Sequence, residues 1–162
     1  MTMRRIIVIL CILHFAFCFE AKSLVDYVNP MVGTALKGEG GTAPFVGPPH
    51  AMTKLMPQTR ENKMGTMAYV YDDTHFMGLM ASHQPTVWMG DYGYVTIMPQ
   101  QGEQVCTLPD DRKLAYSHSD EQASPYYYSV KMTSQEGKPM RAEVAAASRA
   151  ALLRFTYGRG QH

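Results

Sequence analysis

The stretch Ser82-His83-Gln84-Pro85-Thr86-Val87-Trp88-Met89-Gly90-Asp91-Tyr92-Gly93 holds the only tryptophan of the chain beside a histidine, an amide and a carboxylate. A sugar ring has apolar C–H faces fringed by hydroxyls, so a protein grips it with an aromatic plate and planar polar groups. Trp88 offers the plate, and His83, Gln84 and Asp91 offer hydroxyl partners. Spacing leaves a second reading open, in which Trp88 anchors a core and Asp91 is a turn residue before Gly93.

Breaking a glycosidic bond with inversion takes an acid and a base held about 6.5–9.5 Å apart. Asp91, Glu61, Glu121 and Glu143 are available, but none stands in a context that singles it out, so no catalytic residue is assigned. His50 and His75 lack the spaced His or Cys partners of a zinc site, and no metal ligand is assigned either. Asp72 and Asp73 read as solvated turn formers rather than calcium ligands. Cys106 reads as a small buried hydrophobe.

The elements that must position these groups are mostly strands. Tyr126–Met132, Met140–Ala146 and Ala150–Tyr157 carry the two-residue alternation of a half-buried sheet, and Gln135-Glu136-Gly137-Lys138 reads as the turn between the first two. A helical reading of 141–155, resting on its alanines, is weaker because β-branched and aromatic residues bracket the segment. Upstream, strands are expected at Leu24–Val32, Ala51–Met56, Ala68–Tyr71, Phe76–Ala81 and Tyr94–Met98. A hairpin across Asp72-Asp73 is expected to pair the third with the fourth. The Gly- and Pro-rich segment 34–49 is expected to be a loop. The fold class is therefore all-β, a β-sandwich. It is expected to be incomplete, because 152–157 reads as a strand under way with no charged or covered edge after it.

Arg4 and Arg5 followed by the apolar run Ile6–Phe19 form a secretory signal peptide, assigned to residues 1–21, with the sandwich domain at 22–162. The run is too short to span a bilayer comfortably, so no membrane association is expected after cleavage. The expected location is secreted or periplasmic. A lipid anchor on Cys18 is disfavoured, since Phe15-Ala16-Phe17 is a poor lipobox. Removing Arg4, Arg5 and Glu20 takes the 15 basic and 14 acidic residues to 13 of each. A neutral chain without a basic stripe gives no basis for nucleic acid as a partner.

Several segments in order resemble the N-terminal domain of glycoside hydrolase family 92. Val25 to Thr34 is similar to that family's aromatic-Val-Asn-Pro-apolar-Gly-Thr opening, followed by the Gly40-Gly41-Thr42-Ala43-Pro44-Phe45 loop and by Lys54 to Arg60. Trp88-Met89-Gly90-Asp91-Tyr92-Gly93 resembles its Gly-Asp-Tyr-Gly loop. Tyr116 to Tyr127 carries its Ser-His-x-x-Glu-x-Ala-x-Pro pattern, and Met140 to Phe155 its strand pair. The resemblance runs from Val25 to Tyr157. The run Gln84-Pro85-Thr86-Val87-Trp88 departs from the His-Leu-Ser-Gly type of loop that many members have, which bears on the linkage cut.

The resemblance implies a two-domain, calcium-dependent exo-α-mannosidase that acts with inversion. Its β-sandwich would supply substrate-binding loops, Trp88 above all. A C-terminal (α/α)6 barrel absent from this sequence would supply the catalytic carboxylates and most calcium ligands. The implied partners are α-mannoside glycans and that catalytic domain, and the 162-residue chain alone is expected to be inactive. The alternative is a stand-alone carbohydrate-binding module without catalysis.

Overall fold

The computed structural model describes residues 23–35, 37, 41–83, 87–89, 93–103 and 105–158. The proposed signal segment therefore lies outside the described residues. Nine strands are found among those described: β1 (Lys54–Gln58), β2 (His75–Phe76), β3 (Gly78–Ser82), β4 (Val95–Ile97), β5 (Leu114–Ala115), β6 (Glu121–Ser124), β7 (Tyr127–Thr133), β8 (Pro139–Ala146) and β9 (Ala151–Tyr157). One helical turn, α1 (Pro109–Arg112), and two short 3-10 turns complete them.

All pairings between these strands are antiparallel, which confirms the all-β, sandwich-like class. The last four strands form a meander in the order β6-β7-β8-β9, and β1-β3-β4 form a second sheet. The meander follows its alternation: Tyr128, Val130 and Met132 of β7 and Met140, Ala142 and Val144 of β8 point into the core. Leu55 and Leu79 of the other sheet pack into the same cluster, with Phe76 and Leu114 of the small β2-β5 pair. Each such side chain withdrawn from water contributes roughly 1.5–3 kcal/mol.

The β1-β3 pair is covered on both faces, whereas β4 is exposed at Val95 and Ile97. Met56 and Met80, a registered pair, turn away from the meander and join Ala43, Met67, Ala68 and Tyr69 in a second cluster. Double burial explains why β1 and β3 read as continuous apolar runs. Pro57 sits inside β1 because β1 is an edge strand. Leu55 turns its amide and carbonyl outward to Val46, so the same side of Pro57 faces no ladder.

The turn at 135–138 forms as expected, with Ser134 N donating to Lys138 O at 2.8 Å and Gly137 at φ +77°. The helical alternative for 141–155 is excluded by β8 and β9. Two expected strands do not form. Leu24–Tyr27 is a 3-10 turn, and the Asn29 side chain accepts from Met31 N to start the turn that follows. Residues 68–71 are coil, buried at 68–70 and exposed at Tyr71, and β3 pairs with β1 instead of with them. The backbone there is satisfied by two other segments, one at Thr59 and Arg60 and one at Thr34. Ala68 O accepts from Thr59 N and Arg60 N, Val70 N donates to Thr59 Oγ1, and Tyr71 N donates to Thr34 O.

Candidate functional site

The segment that joins β3 to β4 carries the residues expected to touch sugar. His83 follows the last residue of β3 and is exposed, and Trp88 lies in a turn at 87–89 and is 84% exposed. The reading of Trp88 as a core anchor is thereby overturned: its ring is presented to solvent. Gln84 and Asp91 lie outside the described residues. Val87, one residue before the tryptophan, packs against the Met56, Met67, Tyr69 and Met80 cluster, and its carbonyl accepts from Gly65 N at 2.8 Å.

The loop that holds Gly65 also walls a polar cleft of about 610 Å³. Thr59, Arg60, Lys63, Thr66, His75 and Lys113 are among its lining residues. Arg60 is locked there by Asp73, with Nε to Oδ2 at 2.7 Å and Nη2 to Oδ1 at 2.9 Å, and the carboxylate raises the guanidinium's already high pKa. Thr59 Oγ1 donates to the same carboxylate at 2.8 Å. Asp73 is thus a buttress between β1 and the turn before β2, a role the sequence reading of a solvated turn former missed.

A second carboxylate is buried deep in the domain. Glu121 accepts from Tyr128 Oη at 2.6 Å, from Tyr69 Oη at 3.0 Å and from His118 Nδ1 at 2.7 Å. His118 Nε2 reaches Tyr71 O, so the ring bridges Glu121 and the 69–71 segment. Tyr71 stacks on His118 with centroids 3.9 Å apart and planes at 7°, and Tyr116 meets it edge-on at 5.4 Å. Burial pushes the hydroxyls of Tyr69, Tyr116 and Tyr128 well above their usual pKa, and the Glu121 charge adds to the effect. The network ties the 69–71 segment to β6 and β7. Glu121 was one of several undistinguished acids in the sequence, and one of its tyrosine partners, Tyr69, lies 52 positions away.

Glu143 is likewise committed. Its carboxylate accepts from Arg154 Nε at 2.6 Å and Nη2 at 2.7 Å, and from Tyr127 Oη at 2.5 Å. Each of these three carboxylates has its oxygens occupied by fixed donors, which suits holding a fold together and not activating water. Among the described residues, no group of three or more His, Cys, Asp and Glu gathers as a metal site. No step is derived through a calcium ion.

The profile of the glycosyl hydrolase family 92 N-terminal domain matches residues 27–162. Among solved structures, a family GH92 inverting mannosidase from Bacteroides thetaiotaomicron VPI-5482 is 35% identical with a TM-score of 0.74, over 87% of this chain and 19% of that one. A family GH92 alpha-mannosidase from Bacteroides thetaiotaomicron is 30% identical with a TM-score of 0.65, over 84% of this chain and 19% of that one. A GH92 family glycosyl hydrolase, ccman5, is 22% identical with a TM-score of 0.67, over 86% of this chain and 19% of that one, and supports the fold alone. No curated protein matches. The chain spans about a fifth of the length of these structures. It belongs to glycosyl hydrolase family 92, of which it carries the N-terminal domain.

Proposed function

We propose that this chain is the substrate-holding part of a secreted, calcium-dependent α-mannosidase that cleaves α-mannosides with inversion. On this reading Trp88 is the plate against which a mannose ring stacks, and His83, Gln84 and Asp91 are the candidate partners of its hydroxyls. The acid, the base and the calcium ligands come from a catalytic domain outside this sequence. The signal-like residues 1–21 support export, to the periplasm or beyond the cell.

The observation that carries the reading is the exposure of Trp88 on the β3–β4 connection. An indole kept in water at that position has a hydration cost that a sugar's apolar face can relieve. The two family neighbours that share at least 30% identity bear the words mannosidase and alpha-mannosidase. Glu121 and Glu143, engaged by two tyrosines and a histidine and by Arg154 respectively, hold strands in register and leave hydrolysis to other carboxylates.

The test uses the purified 162-residue chain. Methyl α-mannoside is expected to shift Trp88 emission in a saturable way, and an aryl α-mannoside is expected to remain uncleaved. Hydrolysis above background would overturn the assignment of catalysis elsewhere. Emission indifferent to mannoside at any concentration, with glucoside as the control, would overturn the role of Trp88.

A further inference from the structure

The position of Trp88 poses a physical problem. At 84% exposure its ring stands mostly in water, and whatever freedom it keeps there is lost on binding at a cost in conformational entropy. A plate that binds well must be fixed beforehand. The backbone shows how. The carbonyl of Val87 belongs to the same planar peptide unit as the amide of Trp88, so a hydrogen bond to that carbonyl also sets the plane from which Trp88 departs. The donor is Gly65 N, at 2.8 Å. On the other side, the half-buried Val87 side chain packs against the cluster that contains Met56, Met67, Tyr69 and Met80. The residue before the tryptophan is held at its side chain and at its carbonyl.

The donor has a conformational requirement of its own. Gly65 has φ +95°, a region that residues with a Cβ rarely adopt, and a Cβ built there meets nothing within 4 Å. Space does not demand glycine here. The backbone angle that aims the amide at Val87 does.

We propose that Gly65 is a positioning residue for the sugar-facing turn: through its amide it fixes the Val87–Trp88 peptide plane and so preorganises the Trp88 plate. The consequence for sugar binding rests on the proposed function, whereas the effect on the turn does not. The same loop walls the polar cleft through Lys63 and Thr66, so the two surfaces share one support.

Trp88 is the sole tryptophan, so its emission reports this turn and nothing else. Time-resolved anisotropy of the full chain is expected to show about a doubling of the fast depolarising amplitude in Gly65→Ala, with far-UV circular dichroism unchanged. Gly65→Asn, which tolerates positive φ and keeps the amide, is expected to restore most of the wild-type signal. In the unaltered chain the Gly65 amide is expected to exchange about tenfold or more slowly than an open amide, a measurement that needs no variant to fold. Wild-type anisotropy in Gly65→Ala, an Asn variant as loose as the Ala variant, or an unprotected Gly65 amide would each overturn the proposal. Methyl α-mannoside affinity is expected to fall roughly 3- to 10-fold in Gly65→Ala. If the turn loosens while affinity holds, or if no mannoside binds at all, the sugar reading of Trp88 fails and the positioning role stands.

Discussion

Glu143 and Arg154 face each other across β8 and β9 in a two-toothed ion pair, Nε to Oε2 at 2.6 Å and Nη2 to Oε1 at 2.7 Å. The carboxylate is buried and the guanidinium is mostly in water. Arg141, also on β8, approaches the same carboxylate at 3.4 Å and donates to Tyr127 Oη at 2.9 Å. The outer face of the meander is thus cross-tied over β7, β8 and β9 by one acid.

That acid makes the fold sensitive to low pH. The Arg154 hydrogen bonds hold Glu143 down to about 2, against the opposing effect of its burial and with help from Tyr127. A folded pKa below the unfolded one gives stability that is present above about 4.5 and lost as pH falls toward 2. A shift of this size corresponds to about 3 kcal/mol, which the exposure of Arg154 reduces to about 2 kcal/mol. Urea denaturation of Glu143→Gln at pH 7 is expected to show that loss, and the gap to wild type should close as pH approaches 2. A gap of the same size at every pH would refute the ionic origin.

At the alkaline end the tyrosine cluster decides. Tyr69, Tyr116 and Tyr128 are held protonated by burial and by the Glu121 charge, whereas tyrosines in an unfolded chain ionise near pH 10. A folded pKa raised for an acid means stability that is intact below about 10 and lost above it, as the unfolded chain releases protons. Absorbance at about 295 nm is expected to show a late step that coincides with loss of far-UV signal, and Tyr128→Phe should shrink it. Removal of that hydroxyl should also cost about 1–2 kcal/mol at pH 7, since Glu121 loses a donor at 2.6 Å. A smooth titration completed before unfolding would contradict the burial of these hydroxyls.

How much of this was legible in the sequence follows from how local each feature is. The meander β7–β9 could be read because alternation and the turn at Gly137 are properties of neighbouring residues. The 24–32 segment alternates too, but Leu24, Tyr27 and Val32 are all largely exposed, so no core rewards the pattern and Pro30 ends it in a turn. Residues 68–70 are apolar because they are buried, and burial without a pairing partner looks the same in sequence as a strand. The Glu121 network joins residues up to 52 positions apart, and no spacing rule connects Tyr69 to it. For the candidate site, the chain announced an aromatic residue among polar ones. Whether the indole faced the core or the solvent depended on Val87 taking the buried place beside it.

That last point has a direct check. A core tryptophan replaced by alanine costs about 3–5 kcal/mol, whereas an exposed one costs within about 0.5 kcal/mol. Trp88→Ala is therefore expected to leave the thermal midpoint and the urea midpoint nearly unchanged while removing the mannoside response. A large loss of stability would show that the ring is structural after all, and the sugar reading would lose its support.

Gly78 links the fold to the site. It opens β3 at φ +147°, and a Cβ there would lie 2.5 Å from Thr96 Cγ2 and 2.9 Å from Ile97 O, both on β4. Thr96 cannot simply turn aside, because its hydroxyl donates to Gln58 Oε1 at 2.6 Å and so ties β4 to β1 over the strand between them. The carbonyl is backbone and cannot move without the strand. Gly78→Ala must therefore push β4 off β3, at a cost of about 3 kcal/mol from strain and overpacking together. Because β3 and β4 are the two ends of the connection that carries Trp88, the same displacement should alter the Trp88 emission in the folded state as well as lower the urea midpoint. If Gly78→Ala matched wild type in both measurements, the close approach of β4 would be wrong, and with it the frame proposed for the sugar-facing loop.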